Sequence, residues 1–144
     1  MRQILTDIEI EAEPVAIWAI LMGFPSYPDW NPFIRRIEGP AEEGGRLTVE
    51  VQPPDSRART FHPVVIEYVD NRVLRWLGRL PLPGLFDGEH FFRLEALAPG
   101  RARFIHGERF TGLLVPFSKR FLDESVRAGF LEMNQALKSR AEHL

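Results

Sequence analysis

Two imidazoles and a carboxylate lie among aromatic residues in the second half of the chain: His90 in FDGEHFFRLEAL, and His106 with Glu108 in RFIHGERFTGLLVP. A histidine titrates near neutral pH and can take or give a proton. A carboxyl group surrounded by apolar side chains is pushed toward its protonated form. Together they could serve as acid and base in an aldol cyclisation, a hydration or a dehydration. The alternative is that Glu108 pairs with a histidine or an arginine and only satisfies a cavity wall, since buried polar groups must find partners.

Other chemistries lack their residues. The chain has no cysteine, which removes thiolate nucleophiles, disulfides, iron–sulfur clusters and thiol-bound zinc. None of Ser26, Ser56, Ser118, Ser125 or Ser139 stands in a G-x-S-x-G elbow, and no glycine-rich phosphate loop follows a strand. Two histidines and a carboxylate suit iron or zinc as ligand types. Two-residue spacing on a strand, however, brings only His106 and Glu108 to one face, so no metal and no cofactor is expected.

Whether the three candidates meet depends on strand alternation. His90, Phe92, Leu94 and Ala96 share a face free of formal charge, whereas Asp87, Glu89, Arg93 and Glu95 share the other. On the next run Ala102, Phe104, His106, Glu108 and Phe110 compete with Arg103, Ile105, Gly107 and Arg109, and the even set is expected inside. A three-residue turn around Pro99-Gly100 would place Phe92 opposite Glu108 and Leu94 opposite His106. A two-residue turn would invert the faces.

The elements that must hold this hairpin read as follows. Residues from Gln3 to Ala12 alternate with period two, as a strand with one wet face does. Pro14 opens a short helix, with Val15, Trp18, Ala19 and Met22 on one side, and Gly23 and Pro25 stop it. The segment YPDWNPF then forms a second short helical cap: Ser26 or Asp29 can cap it, Pro32 biases Asn31 away from helix, and Trp30 is expected as its buried anchor. Strands follow at Phe33 to Glu38, Arg46 to Val51, Arg59 to Val69, Arg72 to Leu80, Phe86 to Leu97 and Arg101 to Thr111. Asp70-Asn71 and Pro99-Gly100 supply turns. Phe117, Phe121, Val126, Phe130, Met133 and Leu137 then recur at helical spacing, with Pro116 near the start, over roughly 25 residues or about 38 Å.

This order predicts an α+β fold in one domain, residues 1–144. A curved antiparallel sheet of about seven strands would wrap a long C-terminal helix, with two short helices after the first strand. A net charge of −2 and dispersed arginines argue against a nucleic-acid partner. The start MRQILTDIEIEAEP lacks a signal peptide's pattern. No run approaches the roughly 20 apolar residues of a membrane span. The expected location is cytoplasmic, without stable membrane insertion.

IEIEAEPVAIWAIL, YPDWNPFIRRIEG, the paired FDGEHFFRLEAL and RFIHGERFTGLLVP, and the final FLEMNQALKSRAE occur in an order that resembles the SRPBCC superfamily. These are the START and Bet v 1-like helix-grip proteins, and the likeness is to their polyketide cyclase/dehydrase-like branch. The resemblance spans nearly the whole chain and implies an apolar cavity between sheet and last helix for lipids, sterols, polyketides or similar molecules. It implies no metal, and it does not decide between carrier and enzyme.

The expected cavity lining is Trp18, Trp30, His62, Trp76, Phe92, Phe104, Phe110, Phe121, Phe130 and Met133, with His90, His106 and Glu108 as catalytic candidates. The apolar, proline-bound loop from Leu80 to Phe86 is expected to act as a lid through Leu82, Leu85 and Phe86, or as a contact with a partner or a second copy in a homodimer. Three functions stay open: binding of a hydrophobic small molecule, a cyclase or dehydratase working in the same cavity, and an interaction module using the Leu82–Phe86 loop.

Overall fold

The computed structural model describes residues 1–80 and 82–144. Eight strands form two antiparallel sheets. The larger has the order β1-β8-β7-β6-β5, and the smaller β2-β3-β4. Their ranges are β1 (Arg2–Ile10), β2 (Ile34–Glu38), β3 (Thr48–Val51), β4 (Arg59–Phe61), β5 (Val64–Val69), β6 (Val73–Leu80), β7 (Phe86–Ala98) and β8 (Arg101–Thr111). Between β1 and β2 lie α1 (Pro14–Met22), a 3-10 turn (Phe24–Ser26) and α2 (Tyr27–Trp30). The architecture is the expected α+β grip, with eight strands instead of seven.

The extra strand arises at His62-Pro63, where the run predicted as one strand breaks into β4 and β5. Proline has no N–H for a ladder, and the two pieces pair in different sheets, β4 with β3 and β5 with β6. The sheets still join: Gly44 N and Leu47 N donate to Val65 O and Pro63 O at 2.8 Å, and Val65 N donates to Gly45 O.

The hairpin that carries the chemistry turns differently from expectation. Ala98 pairs with Arg101 across a two-residue turn at Pro99-Gly100, where Gly100 has φ 76°. A bulge between Ala96 and Ala98 adds one residue and restores the parity that such a turn would invert. The even positions therefore stay inside, but shifted by two: His90 faces Glu108, Phe92 faces His106, and Leu94 faces Phe104.

Two helix faces also differ. The buried residues of α1 are Ile17, Trp18 and Leu21, while Val15 is 62% exposed. The helix is apolar on all sides, so its sequence does not mark which stripe docks. At the C-terminus a 3-10 turn (Val115–Ser118), α3 (Lys119–Phe121) and a π turn (Leu122–Val126) precede α4 (Arg127–Glu142). Leu122 and Val126, four residues apart, share the buried face, whereas Phe121, five before Val126, stands about 140° away at roughly 100° per residue; Phe117 is 87% exposed and Phe121 lies at the surface. Beyond it α4 buries Phe130, Met133, Asn134, Leu137 and Ala141. Gly129 lets α4 close on the Phe33 ring, which a Cβ there would strike.

The cap has Tyr27 as its anchor. Tyr27 is fully buried and its hydroxyl donates to Leu21 O at 2.7 Å, while Trp30 is half-buried against its edge. Asn31 has the extended backbone expected before Pro32, and its Oδ1 accepts from Phe33 N and Ile34 N, steering the chain into β2. Neither Ser26 nor Asp29 caps α2 with its side chain.

Candidate functional site

A hollow of about 360 Å³ lies between the sheets and the irregular segment 115–126. Its walls come from Phe33 and Ile34, Val49 and Val51 of β3, Arg59 and Phe61 of β4, Trp76, Gly78 and Leu80 of β6, and Phe86, Gly88 and His90 of β7. Glu108 and Phe110 of β8 and Leu114, Ser118, Phe121, Leu122 and Val126 close it. The other half of the grip is solid. There Phe130 packs on Phe33 and stacks on His106 at 3.9 Å, and Phe92 packs on Phe104.

This division sorts the expected residues. His90, Glu108, Trp76, Phe110, Phe121 and Phe86 border the hollow. Phe92, Phe104, Phe130 and Met133 are buried in the filled half, and Trp18 packs on Tyr68, to whose hydroxyl its Nε1 donates at 3.3 Å. These five are core because α4 lies directly on the sheet. Trp30 belongs to the cap, and His62 is exposed beside a smaller outer groove. Of the loop, Leu82 is 63% exposed and Leu85 half-buried, neither on the hollow, and Pro81 lies outside the described residues.

His106 sits behind the wall in a chain of hydrogen bonds whose protons can be assigned. The Thr6 hydroxyl donates its single proton to His106 O at 2.8 Å, so Thr6 Oγ1 can only accept from Asn134 Nδ2, 2.9 Å away. Asn134 Oδ1 therefore faces His106 Nδ1 at 2.9 Å as acceptor, and that nitrogen carries the proton. The bare His106 Nε2 then accepts from His90 Nε2–H at 2.8 Å. His90 Nδ1 ends the chain without a proton; it is buried and has no partner.

Burial holds both imidazoles neutral. It depresses His106 to about 3, partly offset by the bond to Asn134, and lowers His90 well below the usual histidine range, with His106 adding to the effect. His90 is also stacked on Trp76 at 4.3 Å. The chain therefore acts as a neutral, directional string of dipoles.

Glu108 stands across the ladder from His90, and its Oε2 lies over Gly88, where a Cβ would collide with it. Desolvation pushes its carboxyl up to about 8. Some of its surface remains accessible because it borders the hollow. Among the described residues no cation forms an ion pair with it. At neutral pH it presents mainly a carboxylic acid, able to donate one hydrogen bond and accept another.

Sequence reasoning missed Asn134, Thr6 and Arg59. Asn134 had a signal, being the polar member of the stripe Phe130, Met133, Leu137, where an unpaired amide would be costly. Among the described residues no group of three His, Asp or Glu side chains could hold a metal ion, and no helix is long and apolar enough to cross a membrane.

The sequence matches the family model described as polyketide cyclase / dehydrase and lipid transport over residues 1–142. The chain belongs to this family. Its relatives of known structure share the helix-grip SRPBCC fold at low identity. The aromatase/cyclase ZhuI from Streptomyces sp. R1128 is 16% identical with a TM-score of 0.78, covering 98% of this chain and 93% of that one. A START superfamily protein from Mycobacterium smegmatis is 21% identical with a TM-score of 0.72, covering 97% of both chains. The di-domain aromatase/cyclase BexL of the BE-7585A biosynthetic pathway is 14% identical with a TM-score of 0.72, and the match spans 50% of its length. No curated protein matches the sequence significantly.

Proposed function

We propose that the chain binds a hydrophobic small molecule, of lipid, isoprenoid or aromatic polyketide character, in the hollow between its sheets and segment 115–126. The observation that supports this most is the hollow's size and lining: about 360 Å³ with walls mainly of Phe, Val, Leu, Ile, Pro and Trp. Ligand pockets run from about 300 to 1,000 Å³ with the same kind of walls. Each Å² of ligand apolar surface taken from water contributes about 25 cal/mol. Glu108 supplies a neutral hydrogen-bonding group inside, where a charged one would have to be desolvated at high cost.

Native mass spectrometry of the protein purified from its own host tests this reading. One co-purifying apolar molecule, released on unfolding, is the expected result. Protein that carries nothing and also takes up no apolar compound added in excess would sink it.

A second reading is favoured by one observation: Glu108 is an acid poised at about 8 with no cation paired to it. As an enzyme, the chain would use Glu108 to protonate a carbonyl or hydroxyl oxygen of the bound molecule, as a cyclase or dehydratase requires. Comparing Glu108→Gln with the wild type in ligand affinity and in turnover separates the readings. Retained affinity with kcat reduced by roughly 10² to 10⁴ supports catalysis; unaltered turnover of an identified substrate excludes it.

A further inference from the structure

The break at His62-Pro63 leaves a slot in the wall of the hollow. The first pair of β5 with β6 is Val64 with Leu77, so Gly78, Arg79 and Leu80 run on with β7 on one side only. Their other side faces β4, which pairs with β3 alone. Strand alternation sends neighbouring residues of β4 and β6 to opposite faces of the wall. Arg59, Phe61, Gly78 and Leu80 border the hollow inside, whereas Arg46, Thr60, His62 and Arg79 border a groove of about 190 Å³ outside. Phe61, Gly78 and Leu80 border both. At Gly78 an added Cβ would meet only Pro63, at 3.8 Å.

The outer groove is cationic. Arg46 Nη1 donates to His62 O at 2.9 Å, and among the described residues neither Arg46 nor Arg79 forms an ion pair. Asp87, opposite Arg79 across the ladder, instead accepts from Gly84 N at 3.3 and 3.4 Å. Two arginines beside a threonine and a histidine present several donors to an anion and no competing carboxylate.

We infer that this slot passes through the wall, and that its outer groove holds the anionic head group of a single-chain amphiphile whose apolar tail lies in the hollow. The inference rests on the hollow being a hydrophobic-ligand site. It names the ligand class and the side on which its head emerges.

Titrations with dodecanoate and dodecanol at neutral pH, followed by tryptophan fluorescence since Trp76 borders the hollow, test it. Dodecanoate is expected to bind about tenfold more tightly or better, as a charge-assisted contact gives. The double variant Arg46→Gln, Arg79→Gln should bring its affinity to the dodecanol value. Gly78→Leu, which places a side chain in the slot, should weaken dodecanoate more than dodecanol. A preference that survives the double variant, or that Arg59→Gln removes in its place, overturns the slot and puts the head group at another opening. Equal affinities in the wild type overturn it also. If neither compound binds while the neutral dye N-phenyl-1-naphthylamine does, the slot falls and the hydrophobic-ligand reading stands; if none of the three binds, both fall.

Discussion

His90 and His106 meet Nε2 to Nε2 at 2.8 Å, and only one of the two nitrogens can carry the proton. The commitment of Thr6's hydroxyl to His106 O settles which, three hydrogen bonds away. Long-range ¹H–¹⁵N NMR should find His106 protonated at Nδ1 and His90 at Nε2, both neutral at pH 6. A His106 protonated at Nε2 would contradict the chain.

Thr6→Val keeps the side chain's shape and removes its oxygen. It leaves Asn134 Nδ2 without an acceptor and lets the amide reorient. Chemical denaturation should show a loss of about 1 to 3 kcal/mol, the cost of an unsatisfied buried polar group. The histidine tautomers should become mixed in the same variant. A stability change below about 0.5 kcal/mol, in the range of a neutral surface substitution, would mean the four groups do not act as one network.

The site gives stability opposite pH dependences on its two sides. Glu108 has a raised carboxyl pKa, so the unfolded chain loses its proton first. Its contribution is complete below the ordinary carboxylate range and is lost as pH rises toward about 8. The histidines are depressed, so their contribution is present above the ordinary value of 6.5 and is lost as pH falls toward about 3 for His106. Glu108→Gln should therefore remove the decline of stability from 4.5 to about 8, which steepens the histidines' rise up to 6.5, flattens the limb above it and leaves the limb below 4.5 as it was. An unchanged alkaline limb would show that Glu108 is hydrated in the native state.

Tyr27→Ala should cost more than Trp30→Ala. Tyr27 is fully buried and hydrogen-bonded to Leu21 O, which puts its truncation at about 3 to 5 kcal/mol. Half-buried Trp30 should cost roughly half of that. Thermal or urea unfolding of the two variants decides the order, and the reverse order would return Trp30 to the anchor role.

The same contrast shows what the sequence made legible. Element order and the inward face of β7 and β8 follow from alternation, whereas the pairing of His90 with Glu108 does not, because the turn at Pro99-Gly100 holds two residues where three were expected. The anchor of the cap did not, because YPDWNPF offers several aromatics and hydrophobicity does not rank them. The bulge at Leu97 did not, since a bulge leaves no pattern beyond the parity it corrects. The face of segment 115–126 is a plainer matter: Phe121, five residues before Val126, stands about 140° from it around a helix, so it and Phe117 leave the stripe of Val126 and Phe130 and lie at the surface. Phe130 and Met133 lie on the same apolar stripe as Val126, yet they fill the core because α4 lies directly on the sheet, while the hollow lies beside segment 115–126.

The central claim is that an apolar ligand occupies the space bordered by Val51, Trp76 and Phe110. It is tested most directly by titrating a neutral apolar dye, N-phenyl-1-naphthylamine, into the wild type and into Val51→Trp, whose larger side chain fills the hollow. Circular dichroism should confirm that the variant is folded. The wild type should bind one dye per chain saturably, and Val51→Trp should bind at least tenfold more weakly, a difference of about 1.4 kcal/mol. Equal binding by the two folded proteins would place the dye elsewhere and contradict the claim.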